Sequence, residues 1–242
     1  KLIFGCDCDP DRLSFNKFAS SDPWLGIEEG IERFNEIRFQ IEKNYGIWIK
    51  CVWFVRSDFK IKYDYGQYEY SFNIHNKIWK KLLTYGDEIA WHPHLWNIDK
   101  NNNWYQEIKD EKFKYNCISN GYNNIPSFYK KIIKTTHAGW CYQDNFTLKT
   151  LYELGITIDC SSLPGVSTLY RGSVDRSDWE NSPHNPFFVK KDNYKLPSTV
   201  KNKSILEIPA STTLSYLSIL KALIDFRKEF KINSKKYKIL EK

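Results

Sequence analysis

Methionine is missing from all 242 positions, the initiator included, so Lys1 need not be the first residue translated. No stretch approaches the ~18 consecutive apolar residues of a membrane span. The opening Lys1-Leu2-Ile3-Phe4-Gly5 runs straight into Cys6-Asp7 without the pattern of a secretory leader. A membrane span is therefore excluded and secretion is not expected. The six cysteines include no C-x-x-C pair and no zinc-finger spacing. Cys6, Cys51 and Cys160 sit in apolar runs and are expected to be small buried hydrophobes of a reduced compartment, which points to a cytoplasmic location. Neither G-x-G-x-x-G nor G-x-x-x-x-G-K-[ST] occurs, so the usual nucleotide-binding signatures are absent.

With 41% hydrophobic and 27% charged residues the composition is that of a soluble globular protein. The net charge of +7 raises the possibility of a nucleic-acid partner, but its distribution argues against one. Seven basic and two acidic residues lie between Arg227 and Lys242, so this stretch carries +5 and the rest of the chain only +2. The expected division is a single domain over residues 1–230 followed by a solvated basic tail, 231–242.

Strand and helix patterns alternate six times. Residues 2–9 form an apolar run, after which Ile27, Ile31, Phe34, Ile37 and Ile41 recur at helical spacing. The run 47–55 (IWIKCVWFV) precedes a helix marked by Ile74, Ile78, Leu82 and Leu83 and stopped at Gly86. Residues 88–95 are the third strand, followed by a helical region interrupted near Gly121. Residues 132–137 are the fourth strand, with Leu148, Leu151 and Leu154 on the next helix. Residues 156–161 are the fifth, 163–203 are expected to be mostly irregular, and 205–210 precede a helix over 214–230. Such alternation implies a parallel α/β sheet, either open and doubly wound or closed as a barrel. The missing nucleotide signatures and the lack of any compositional break favour a single barrel-like domain.

In either architecture chemistry gathers at the carboxyl ends of the strands. There the sequence places Asp7-Cys8-Asp9, His92-Pro93-His94, His137-Ala138-Gly139-Trp140 and Asp159-Cys160-Ser161-Ser162. Residues i and i+2 of a strand share a face, so Asp7 projects with Asp9 and His92 with His94. Alone, Asp-x-Asp is an ordinary cap or Asx-turn and His137 an ordinary packed histidine. Their coincidence at strand ends favours a divalent metal site, two imidazoles and one carboxylate leaving positions open and the second aspartate free as a base.

These motifs resemble the polysaccharide deacetylase family of carbohydrate esterases, metal-dependent hydrolases that remove N- or O-acyl groups from sugars on a distorted (β/α) barrel. In family order, the matching pieces are Phe4 to Asp11 (FGCDCDPD), Gly86 to His94 (GDEIAWHPH), Gly139-Trp140 with Asn145 and the run LKTLYELGITIDCSS, and Ile205 to Pro209 (ILEIP). The resemblance implies Asp7 as catalytic base and Asp9, His92 and His94 as ligands of a divalent metal, zinc foremost. The ion would polarise the acyl carbonyl while Asp7 takes a proton from water.

Three features depart from the family pattern. The histidines are two apart rather than four, a histidine replaces the arginine expected near position 137, and ILEIP lacks the late histidine that serves as general acid. His137 or His184 would then supply the leaving-group proton. The loop Asp178 to Pro183 resembles a branch associated with surface-polysaccharide synthesis. Trp96, Trp140, Asp159 and Trp179 are expected as substrate contacts, flat rings suiting sugar faces. The implied partner is an acylated sugar or polysaccharide. The alternative is a catalytically impaired, deacetylase-like glycan-binding protein.

Overall fold

Runs rich in β-branched and aromatic residues become strands when both of their faces can be covered. The computed structural model describes residues 3–11, 24–166, 178–199 and 204–210, all within a unit spanning Lys1–Ala210. The expected helix 214–230 and the basic tail 231–242 lie outside the described residues. In chain order the first half contains β1 (Ile3–Cys8), a π-helical turn (Gly26–Gly30) leading into α1 (Ile31–Tyr45), β2 (Lys50–Arg56), α2 (Phe59–Tyr65), α3 (Tyr70–Ile74), α4 (Asn76–Thr84) and β3 (Glu88–His92). The second half contains β4 (Trp96–Ile98), β5 (Trp104–Gln106), α5 (Glu111–Asn123), α6 (Ser127–Ile132), β6 (Thr135–Thr136), α7 (Asn145–Glu153), β7 (Ile158–Asp159), β8 (Phe187–Lys190), β9 (Asn193–Pro197) and β10 (Leu206–Glu207).

All six expected strands are present, as β1, β2, β3, β6, β7 and β10, and they lie side by side in chain order, parallel throughout. This order never reverses, so the sheet lacks the switch point of a doubly wound fold. The expected barrel nevertheless does not close among the described residues. β10 would have to pair with β1, but its outer edge is taken by the antiparallel hairpin β8–β9. That hairpin comes from the segment expected to be irregular, where Phe187 and Val189 alternate inward. Among the described residues β1 lies at the sheet edge, and Cys6 is exposed and Cys160 half-buried rather than buried as expected, while Cys51 is buried.

Register assigns the two faces of the central strands. Cys8, Val55 and Trp91 align on the apolar side with Trp53, and Asp7 aligns with Phe54 and Ala90 on the other, one step from Arg56 opposite His92. The apolar side carries the main core, including Trp53, Val55, Phe72, Trp79, Ile89, Trp91 and Ile133. Gly121 does not interrupt its helix. It lies inside α5, where an added Cβ would come within 2.7 Å of the Ser57 carbonyl oxygen, so the absent side chain lets helix and strand end touch.

α1 buries Ile31, Asn35 and Arg38, whereas Ile37 is 55% exposed. Arg38 turns inward because Asp87 meets it there: Nη1 donates to both Asp87 oxygens at 2.9 and 2.8 Å. Asp87 also accepts from the Cys51 N–H at 3.1 Å and Trp53 Nε1 at 2.9 Å. The rings of Trp48 and Tyr85 each lie 4.8 Å from the guanidinium carbon. Removing one member of a fully buried ion pair strands the other charge, so Asp87→Ala is expected to lower unfolding stability by about 3–5 kcal/mol. Urea denaturation at unchanged m-value measures this, and a loss below about 1 kcal/mol would contradict it.

Candidate metal centre

β1 delivers Asp7 from its penultimate position, and Asp9 follows just beyond the strand end. β3 stops at His92, earlier than expected, so His94 reaches the site across Pro93 rather than by strand alternation. The two imidazoles meet nearly at right angles, 86° between planes, with Nε2 atoms 3.0 Å apart. Asp9 Oδ2 lies 3.8 Å from His92 Nε2, and Asp9 Oδ1 lies 3.9 Å from His94 Nε2. A second cluster, Asp7, His92 and His137, shares the His92 ring.

Hydrogen bonding separates the two clusters. His92 Nδ1 lies 2.5 Å from the His137 carbonyl oxygen, which can only accept, so Nδ1 carries a proton and Nε2 is the atom turned toward His94 and Asp9. In the second cluster the same Nδ1 is thereby occupied, and His137 Nδ1 is bonded to Asp7 Oδ1 at 2.8 Å. The donor set that suits a cation is therefore Asp9, His92 and His94. Its separations approach the ~3.3 Å edge of a tetrahedron with bonds of ~2.0–2.1 Å. Both imidazoles are buried, which restricts their ring orientations.

Arg56, the last residue of β2, was not singled out from the sequence; an arginine closing an apolar run was the available signal. Its Nη1 donates to Asp9 Oδ1 at 2.8 Å and its Nε to Asp58 Oδ2 at 2.6 Å. Burial works against the charge on Asp9, but Arg56 and His92 outweigh it and hold the carboxyl below its usual range. Burial opposes the charge on Asp7 as well, and His92, His137 and Arg56 likewise keep it low. Burial pulls His137 down, while hydrogen bonds to Asp7 and Cys141 raise it further, to about 10. Cys141, also missed, places Sγ 3.5 Å from His137 Nε2.

The expected substrate contacts fall in different places. Trp96 is buried and stacks on His94, 5.8 Å between centroids and 11° between planes. Trp179 is buried and donates its indole N–H to the Cys141 carbonyl at 2.9 Å. Asp159 is wholly buried behind the site. Trp140, edge-on to Trp96 at 5.0 Å, is half-buried and keeps an accessible side. His184 is exposed before β8, and it is His137 that bonds Asp7.

No known family's sequence profile and no curated protein matches the chain. Among solved structures, a protein described as a glycoside hydrolase/deacetylase from Parabacteroides distasonis is similar in fold, with a TM-score of 0.50 and 12% identity over 87% of this chain and 44% of that one. A polysaccharide deacetylase, so described, from Mycobacterium smegmatis gives a TM-score of 0.44 and 13% identity over 86% of this chain and 58% of that one. A 4-alpha-glucanotransferase from Thermococcus litoralis gives 0.41 and 18% over 93% and 30%. The chain thus spans between about a third and three fifths of these proteins' lengths. Among the described residues, no helix is long and apolar enough to cross a membrane.

The Asp7–His137 pair has a testable pH signature in chelator-treated protein. A histidine raised from ~6.5 on folding contributes stability that is complete below ~6.5 and disappears as pH climbs. The stability advantage of the wild type over His137→Gln should therefore shrink between about pH 6.5 and about 10, the folded value. A pH-independent difference in denaturant midpoint would contradict the charged pair.

Proposed function

We propose that this chain is a metal-dependent hydrolase that removes an acyl group, acetyl foremost, from a sugar or a surface-polysaccharide precursor. One observation carries the reading: the Asp9 carboxylate and the Nε2 atoms of His92 and His94 converge within 3.9 Å, with the Asp7–His137 pair beside them. In this reading Asp9, His92 and His94 hold the metal, and zinc suits two imidazoles and a carboxylate with a position left open. When bound, the ion supplies Lewis-acid polarisation of the acyl carbonyl.

The remaining work belongs to the chain. Asp7 is ionised, and its side chain is 40% exposed, so it can accept the proton of an attacking water. His137 keeps a proton in its bond to Asp7 and can release one to the departing nitrogen or oxygen, a task for which β10 holds no histidine. Two groups whose surroundings push their proton affinities apart divide the base and acid roles between them. Trp140 offers a flat surface for a sugar ring. Lack of that histidine also supports the second reading, a deacetylase-like protein that binds glycan without turnover.

Elemental analysis of protein purified without chelator should find about one metal per chain in the wild type and none in His92→Ala or His94→Ala. Asp7→Asn should retain the metal and lose ~10²-fold or more of its activity on acetylated sugars. Absence of metal after zinc is supplied would overturn the metal centre. A loaded wild type that hydrolyses no acylated sugar yet binds glycan would favour the second reading.

A further inference from the structure

Segment 137–143 runs directly behind both imidazoles. The His137 carbonyl accepts from His92 Nδ1, and the Gly139 N–H donates to the Pro93 carbonyl at 2.8 Å. A Cβ on Gly139 would lie 2.1 Å from His94 Nδ1, so the bare backbone is the seat of that ring. Trp140 and Cys141 follow, both with φ of 57°, a left-handed conformation that side chains disfavour and that a segment keeps only if its surroundings impose it.

Trp179 holds the Cys141 carbonyl, and the side-chain contacts that flank the two residues converge on Asp159, the last residue of β7. Its Oδ1 accepts from Ser161 Oγ at 2.9 Å and from Gln143 Nε2 at 3.0 Å. Because the single Ser161 hydroxyl proton points to Asp159, the hydroxyl oxygen is left to accept the Ala138 N–H at 2.8 Å. Gln143 is fixed from its other end by Thr147 Oγ1, which donates to Gln143 Oε1 at 2.8 Å. Thus Asp159 grips the segment at both ends, through Ser161 at Ala138 and directly at Gln143.

We propose that Asp159 is a positioning residue for the metal centre: through Ser161 and Gln143 it holds segment 137–143 so that the His137 carbonyl orients His92 and Gly139 seats His94. The inference rests on the reading of Asp9, His92 and His94 as metal ligands. It assigns Asp159 an indirect role in place of the sugar contact expected from the sequence. The network is fully buried, so no substrate atom is needed to explain it.

The test compares zinc affinity, measured by chelator competition, and the visible spectrum of the cobalt-substituted protein for wild type, Asp159→Ala, Asp159→Asn and Ser161→Ala. Loss of a group that orients metal ligands typically weakens binding ~10–100-fold, and that is the expected effect of Asp159→Ala and Ser161→Ala, with altered cobalt bands. Asp159→Asn keeps an Oδ1 acceptor and should stay near wild type. Gly139→Ala, which drives a Cβ into the His94 ring, should reproduce the loss, whereas Asp87→Ala at the opposite end of β3 should lower stability without changing zinc affinity. Wild-type affinity in both Asp159→Ala and Ser161→Ala would overturn the positioning role and leave the metal centre standing. Failure of the wild type to take up zinc or cobalt would overturn both.

Discussion

A buried guanidinium cannot remain unpaired, and the site is arranged around that constraint at Arg56. Asp9 and Asp58 answer its charge, and Asp58 also caps α2 by accepting the Lys60 and Ile61 N–H groups at 2.9 and 3.1 Å. One side chain therefore joins the end of β1, the end of β2 and the start of α2. It also holds the Asp9 carboxyl below its usual range and aims it beside His92. Asp9 Oδ1 is engaged by Arg56 and lies 3.9 Å from His94 Nε2, while Oδ2 faces His92.

The central strands divide by face in a way that protects this arrangement. Trp53, Val55 and Trp91 pack among apolar side chains on one side, and Asp7, Arg56 and His92 collect on the other. Because strand alternation sets the division, a change of register by one residue would exchange tryptophan for arginine in the core. The indole N–H groups of Trp53 and Trp91, bonded to Asp87 and to the Ser57 carbonyl, add polar anchors that resist such slippage.

Much of this was legible in the sequence because it rests on local pattern. The six parallel strands follow from apolar runs, and Asp7, Asp9, His92 and His94 stand at their carboxyl ends as read. What escaped depends on long-range partners. Arg56 hid at the end of an apolar run, and only Asp9 and Asp58, one of them brought from another strand, explain its burial. Arg38 displaced Ile37 from the buried face of α1 because Asp87 waits opposite. Among the described residues the sheet stays open at a hairpin whose pairing to β10 no local signal announces. His94 converges on His92 through a turn at Pro93, not by the two-residue alternation that first placed them together.

The bond from His92 to residue 137 uses a main-chain oxygen, whereas the bond from residue 137 to Asp7 uses its imidazole. Any amino acid at position 137 that preserves the backbone path would still supply the carbonyl. The side chain at position 137 can therefore be exchanged without removing the acceptor that orients the neighbouring imidazole.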